Sequence, residues 1–204
     1  MSALAWNCRG LGNPLTVKTL QKFVKEKDPT LVFLMETKFK KTKMDGIKRK
    51  IERHYGLVVP SRNRGCGFTL LWKNTLQVEP LTDSLRHIDM IVNEEGGKKR
   101  WRFTCFYHNP EMCKWEESWT LIRNLSNRCD LPWVIIGDFN ELLHANEKEG
   151  GNARLEGQMK FFIIVVNYVT WANVDRISRG VKDLAQKDGS VNIWIELLFQ
   201  QIGQ

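Results

Sequence analysis

Apolar positions along this chain follow two rhythms. Some form short unbroken runs, and others recur every three or four residues. SALAW (2–6) is a short run ending at Asn7 and reads as a buried strand. Arg9 to Pro14 make a loop. Val17, Leu20, Phe23 and Val24 then keep helical spacing, with Lys18, Lys22 and Lys25 on other faces. Asp28-Pro29 closes that helix. Leu31 to Met35 is a second buried strand and ends at Glu36. Met44, Ile47 and Ile51 place a helix within the Lys/Arg-rich stretch 38–53. RNRGCGFTLLW (62–72) is a glycine-containing loop followed by a strand. Residues 76–79, 86–92 and 101–107 read as further strands, the last after the Glu-Glu-Gly-Gly turn at 94–97. Trp115, Trp119, Ile122 and Leu125 mark a helix, and PWVIIGDFNELL (132–143) opens as a strand. A polar loop, 144–157, precedes a helix carrying Met159, Phe162, Val166 and Val169. Beyond it the alternation fades, through a loop at 187–190 to a short helix at 193–202.

This order predicts an α/β (α+β) fold. The expected form is a layered α/β sandwich of two mainly antiparallel or mixed sheets flanked by helices. A doubly wound parallel sheet fits less well, because the turns within 65–107 are too short for crossovers.

Composition narrows the picture. The 204 residues include eight Trp and ten Phe, enough to bury a core and to exclude a disordered chain. The length fits one domain with or without a tail. The net charge of +8 favours a polyanionic partner, although the basic run at 38–53 taken alone reads as a solvated helix face. Cys8, Cys66, Cys105, Cys113 and Cys129 are scattered with no C-x-x-C, which indicates neither a zinc site nor a disulfide framework. An odd number suits a reducing compartment. MSALAWNCRG lacks a signal-peptide pattern, and FFIIVVNYV (161–169) falls short of the ~20 residues that span a bilayer. The expectation is an intracellular protein with no membrane partner.

The stretch PWVIIGDFNELL raises a chemical question. Side chains alternate along a strand, so Asp138 and Asn140 point one way and Phe139 the other. Gly137 removes the Cβ that would crowd anything approaching Asp138. An Asx-type turn closing a strand accounts for the pattern as well as a site does. The other strand ends tilt the choice. Asn7 follows LAW, Glu36 follows LVFLM, and RFTCFY ends at Tyr107 and His108. Hard oxygen ligands hold Mg²⁺, a carboxylate can deprotonate water, and amides and a phenol can donate to phosphate oxygens. Each residue type has a task in phosphodiester hydrolysis.

With these residues the sequence resembles the endonuclease/exonuclease/phosphatase superfamily. More narrowly, it resembles the apurinic-type endonuclease domain at the front of plant LINE (non-LTR) retrotransposon polyproteins. The matching segments are WNCRGLGNP (6–14), FLMETK (33–38), LLWKN (70–74), FYHNPE (106–111), PWVIIGDFNELL, EKEGG (147–151) and the Gln158-Met159 helix. They run in order from residue 1 to about 171. The resemblance implies an endonuclease-like domain over 1–171 and a degenerate remnant of it over 172–204. It implies Glu36 as principal Mg²⁺ (or Mn²⁺) ligand, with Asn7 nearby in the metal and phosphate site. Asp138 would activate water, Asn140 would hold the scissile phosphate, and Tyr107 would contact the phosphate or assist the leaving group. Arg9 and Lys38 would contact nucleic acid. The implied partner is DNA, bound by a monomer ancestrally fused to a reverse transcriptase and acting in the nucleus.

The chain also departs from that family pattern. VNYV (166–169) passes directly to TWAN (170–173), without the Asp-Leu-Gly-Phe segment expected between them. Val174-Asp175-Arg176 resembles a compressed Leu-Asp-Arg motif, which makes Asp175 a second metal-site acid. No Ser-Asp-His follows IWIELLFQ (193–200). Arg9, Cys66, His108 and Trp115 stand where the pattern has other residues. The expectation is a domain missing its last strand or strands and impaired or inactive as a nuclease. Two other readings stand beside it: a non-catalytic nucleic-acid-binding remnant, and a superfamily phosphatase acting on small phosphoesters.

Overall fold

A computed structural model describes residues 2–60, 67–93, 100–107 and 115–138. In chain order the elements are β1 (Ala3–Asn7), α1 (Pro14–Lys27), β2 (Leu31–Met35), α2 (Lys41–Lys50), β3 (Tyr55–Val59), β4 (Phe68–Trp72), β5 (Gln77–Asp83), β6 (His87–Asn93), β7 (Arg100–Tyr107), α3 (Trp115–Ser126) and β8 (Trp133–Asp138). The strands form two four-stranded sheets, ordered β1-β2-β4-β3 and β5-β6-β7-β8. β1 and β2 are parallel, with Asn7 opposite Met35. β2 with β4, β3 with β4, β5 with β6 and β6 with β7 are antiparallel. Two mixed sheets with helices are the α/β architecture expected from the short turns.

Residues 2–107 and 134–138 belong to one compact unit, and 115–133 belong to a second. The expected boundary near residue 171 and the missing last strand concern residues outside those described.

Two apolar layers hold the first unit together. Between the sheets lie Leu31, Phe33 and Met35 of β2, Phe68, Leu70 and Trp72 of β4, Ile88, Met90 and Val92 of β6, and Phe103, Cys105 and Tyr107 of β7. These are alternate positions, as a two-residue period requires. The other face of the first sheet, with Leu4, Val32, Leu34 and Leu71, packs on Val17, Leu20 and Val24 of α1 and Met44 and Ile47 of α2. β2 is therefore covered on both faces, which is why its sequence is unbroken LVFLM.

Local chemistry sets the helix ends. The Asn13 side chain accepts from the Leu15 N–H at 2.9 Å, and Pro14 occupies the first turn of α1, where its missing N–H costs nothing. α2 ends in a Schellman motif. The Glu52 N–H donates to the Arg49 carbonyl at 3.3 Å and the Arg53 N–H to the Lys48 carbonyl at 3.0 Å. Glu52, at φ 55°, stands where such a motif favours glycine.

β3 was not expected from the sequence. Gly56 interrupts its apolar run, and the reason is a close approach. A Cβ there would stand 2.4 Å from Leu71 Cδ2 and 2.5 Å from the Leu70 carbonyl oxygen. β5 tolerates Pro80 because it is an edge strand, bulged between Pro80 and Thr82.

The second sheet carries an ion pair buried on the face opposite the inter-sheet core. Arg102 Nε and Nη2 donate to Asp89 Oδ1 and Oδ2 at 2.9 and 2.7 Å, and Thr104 Oγ1 donates to Asp89 Oδ1 at 2.6 Å. Both charged side chains are fully buried. Register makes the cluster, since Asp89 lies opposite Thr104.

Candidate active site

Four strands of the first unit end at one place. Parallel pairing of β1 and β2 brings Asn7 level with Met35, so Glu36 emerges beside Asn7. Cys8 N–H donates to the Met35 carbonyl at 3.1 Å and continues the pairing past the strand end. Glu36 then takes φ 51°, turning the chain sharply. Thr37 secures that turn. Its N–H donates to the Gly67 carbonyl at 2.8 Å, and its carbonyl accepts from Leu11 N–H at 3.1 Å.

The side chains form one hydrogen-bonded cluster. Asn7 Nδ2 donates to Glu36 Oε1 at 2.8 Å and to Asp138 Oδ2 at 3.0 Å. The Tyr107 hydroxyl donates to Glu36 Oε1 at 3.0 Å. Arg9 N–H donates to Asn7 Oδ1 at 3.2 Å, which fixes the amide so that its nitrogen faces the carboxylates. Asn7, Glu36 and Asp138 are half-buried and Tyr107 is buried. Tyr107 is further anchored by its own N–H, which donates to the Arg86 carbonyl at 2.8 Å.

Gly137 places Asp138. Its φ is +157°, and a Cβ on it would stand 1.7 Å from the Phe106 carbonyl oxygen. The sequence pattern read Gly137 as leaving room for whatever approaches Asp138. In the structure the group that approaches is the backbone of β7.

The neighbouring Cys8 thiol donates to the Met35 carbonyl at 3.0 Å, and burial pushes its pKa up to about 11. It stays a neutral thiol at ordinary pH and is no nucleophile. Arg9 and Lys38 flank the cluster as exposed side chains, with φ of 48° and 54°. Asn140 and Asp175 lie outside the described residues, as do His108 and Cys66. The structure thus brings together Asn7, Glu36, Tyr107 and Asp138. Sequence reasoning missed Thr37, whose position between two charged residues gave no signal of burial.

Among the described residues no group of three or more His, Cys, Asp or Glu could hold a metal ion. The oxygen ligands the site offers are the Glu36 and Asp138 carboxylates, because the Asn7 amide turns its nitrogen, a hydrogen-bond donor, towards them. So few hard oxygens leave room for a divalent cation that keeps several waters, as Mg²⁺ does.

Comparison with known proteins agrees with this fold. A model of the Endonuclease/Exonuclease/phosphatase family matches residues 4–177. A comparison with curated proteins finds no match. Among solved structures, the AP endonuclease LMAP of Leishmania major superposes with a TM-score of 0.62 at 12% identity, covering 84% of this chain and 66% of that one. The human Nocturnin catalytic domain gives 0.57 at 11% identity, covering 70% and 64%. The mannosyl-6-phosphatase Bt3783 of Bacteroides thetaiotaomicron gives 0.55 at 12%, covering 69% and 65%. The matches thus span about two thirds or less of the length of these structures, and at such identities they establish the fold alone. Members of the matched family generally depend on a divalent metal. The family match over most of the chain and the shared fold lead to one conclusion: this chain belongs to the endonuclease/exonuclease/phosphatase family.

Proposed function

We propose that the site hydrolyses phosphodiester bonds in DNA with Mg²⁺ or Mn²⁺, nicking a strand. The observation that carries this reading is the single cluster joining Asn7, Glu36, Tyr107 and Asp138 from four strand ends. Glu36 would hold the metal, with Asn7 beside it and Asp175 as a further acid. A bound divalent ion supplies charge stabilisation at the phosphoryl oxygens. Asp138 orients and deprotonates the attacking water. The Asn7 amide keeps the two carboxylates at a fixed separation. Tyr107 presents a phenolic proton to a phosphate oxygen or the leaving group, and Asn140 holds the scissile phosphate.

The motifs support a narrower origin, the endonuclease of a plant LINE retrotransposon. There the nick would provide the primer end for a fused reverse transcriptase, inside the nucleus. The 204 residues contain no Ser-Asp-His. Groups that act as a unit fail as a unit, so we propose impaired turnover for this chain as it stands.

Supercoiled-plasmid nicking by the purified chain, in Mg²⁺ and in EDTA, beside Asp138→Ala, tests both parts. The expected result is slow nicking that EDTA and the substitution each abolish. Fast nicking would refute the impairment. No nicking above the Asp138→Ala background would remove the catalytic reading and leave a non-catalytic nucleic-acid binder.

A further inference from the structure

The turn between β5 and β6, residues 84–86, is Ser-Leu-Arg. It has none of the Gly, Asn or Pro that usually shape a tight hairpin. Side chains hold it instead. Ser84 N–H donates to the His87 carbonyl at 2.9 Å, and Arg86 N–H donates to Ser84 Oγ at 3.0 Å. The His87 imidazole then ties both sides of the hairpin. Its Nδ1 shares a hydrogen bond with Ser84 Oγ at 2.8 Å, and its Nε2 shares one with Thr82 Oγ1 at 2.9 Å. The ring is buried, although Asp83 and Leu85 beside it are exposed.

This turn reaches the site through one backbone bond. The Arg86 carbonyl accepts the Tyr107 N–H at 2.8 Å, one step beyond the last paired residues of β6 and β7, His87 and Phe106. That acceptor belongs to the turn and not to β6, so its place depends on the shape of the turn. At the other end of Tyr107 the hydroxyl donates to Glu36 Oε1 at 3.0 Å.

We propose that His87 is a positioning residue for the site: by holding Ser84 it fixes the Arg86 carbonyl, and with it the Tyr107 phenol against Glu36. The bond to Ser84 carries the effect, because Ser84 Oγ also receives the Arg86 N–H. The bond to Thr82 ties the ring to β5 and leads away from Tyr107. This deepens the function proposed above by adding a residue to its machinery. It rests on that reading for the reaction and not for the geometry.

Two pairs of variants separate the two bonds. The amide of Asn reaches where Nδ1 stands and that of Gln where Nε2 stands, so His87→Asn keeps the Ser84 bond and His87→Gln keeps the Thr82 bond. Ser84→Ala and Thr82→Val each delete one bond from its other end. The full chain is labelled with fluorotyrosine and followed by fluorine NMR; of its three tyrosine signals, Tyr107 is the one that Tyr107→Phe removes. Ser84→Ala and His87→Gln should shift or broaden the Tyr107 signal and leave that of Tyr55 in place. Thr82→Val and His87→Asn should leave both. In plasmid nicking with Mg²⁺, Ser84→Ala and His87→Gln should lower kcat by about 100-fold, the scale of a ~1 Å misplacement, with KM unchanged. His87→Asn should keep the parent rate. If His87→Gln fails to fold, Ser84→Ala against Thr82→Val decides alone. Equal movement of the Tyr107 signal in all variants would mean general loosening of the hairpin and overturn the proposal. An unmoved signal in Ser84→Ala would overturn it too, and nicking by the parent would then keep the site without this support. The expected signal pattern in a parent that does not nick would keep the positioning and discard the reaction.

Discussion

Asp89→Ala should cost about 3–5 kcal/mol of folding stability, the range for breaking a buried ion pair. Asp89 and Arg102 are both fully buried, so no water replaces what the substitution removes. Three hydrogen bonds end on this carboxylate, two from the guanidinium and one from Thr104. Bonds to charged groups contribute about 1.5–3 kcal/mol each, but they share one acceptor and do not add, which keeps the total within that range. Most of the loss is the cost of keeping a buried guanidinium after the Asp89 carboxylate that accepts two of its bonds is removed. Replacing both partners by apolar residues, as in Asp89→Leu with Arg102→Met, removes that penalty. The double variant should recover most of the lost stability. Thr104→Val, which deletes the third bond, should cost about 1–3 kcal/mol. Urea denaturation followed by tryptophan fluorescence measures all of these. If Asp89→Ala cost less than about 1 kcal/mol, or the double variant were as unstable as the single, the account of this pair as an uncompensated-charge problem would fail.

Three further outcomes follow from local geometry and titration. Glu52→Gly should raise stability by about 1 kcal/mol, because Glu52 carries a side chain in the left-handed position of the Schellman motif; a shifted urea midpoint would show it. Hydrogen bonds from Lys73 and Arg53 lower the Asp28 pKa below its ordinary 3.8, so the stability it adds is present above that value and lost as pH falls through the lowered one. Asp28→Asn, which keeps the left-handed backbone accessible, should therefore flatten the acid limb of a stability–pH curve, and less so in high salt because Asp28 is exposed. Burial raises the thiol pKa of both Cys8 and Cys105, so iodoacetamide at pH 8 should leave them unmodified in the native protein and label them after unfolding, as read by peptide mass spectrometry.

Much of the site was legible because strand ends announce themselves. LAW, LVFLM and VII are apolar runs that stop at Asn7, Glu36 and Gly137-Asp138; in the structure β1 closes at Asn7, the chain turns at Glu36 just past β2, and Asp138 is the last residue of β8. What could not be read was the partner of each side chain. The bond from Asn7 to Asp138 spans 131 residues of sequence and exists only because the two sheets pack. The backbone turns at Arg9, Glu36 and Lys38 were equally hidden, since none carries the Gly or Asn that flags φ above zero. β3 escaped because Gly56 disrupts its pattern. The Asp89–Arg102 pair depends on strand register, which a hydrophobic alternation leaves unspecified at polar positions.

Gly137 has a consequence for how the site tolerates change. At this point β8 meets the main chain of β7, not a side chain, and main chain has no rotamers with which to yield. The setting of Asp138 is thus insulated from repacking of the apolar layer between the sheets. Large-to-small substitutions at Phe103 or Met90 would loosen the sandwich long before they moved the carboxylate. A single methyl group at residue 137 would do the reverse, shifting the acid while the core stayed filled. Wear in the interior and loss of alignment are separate failures in this protein, and sequence drift can reach either one first.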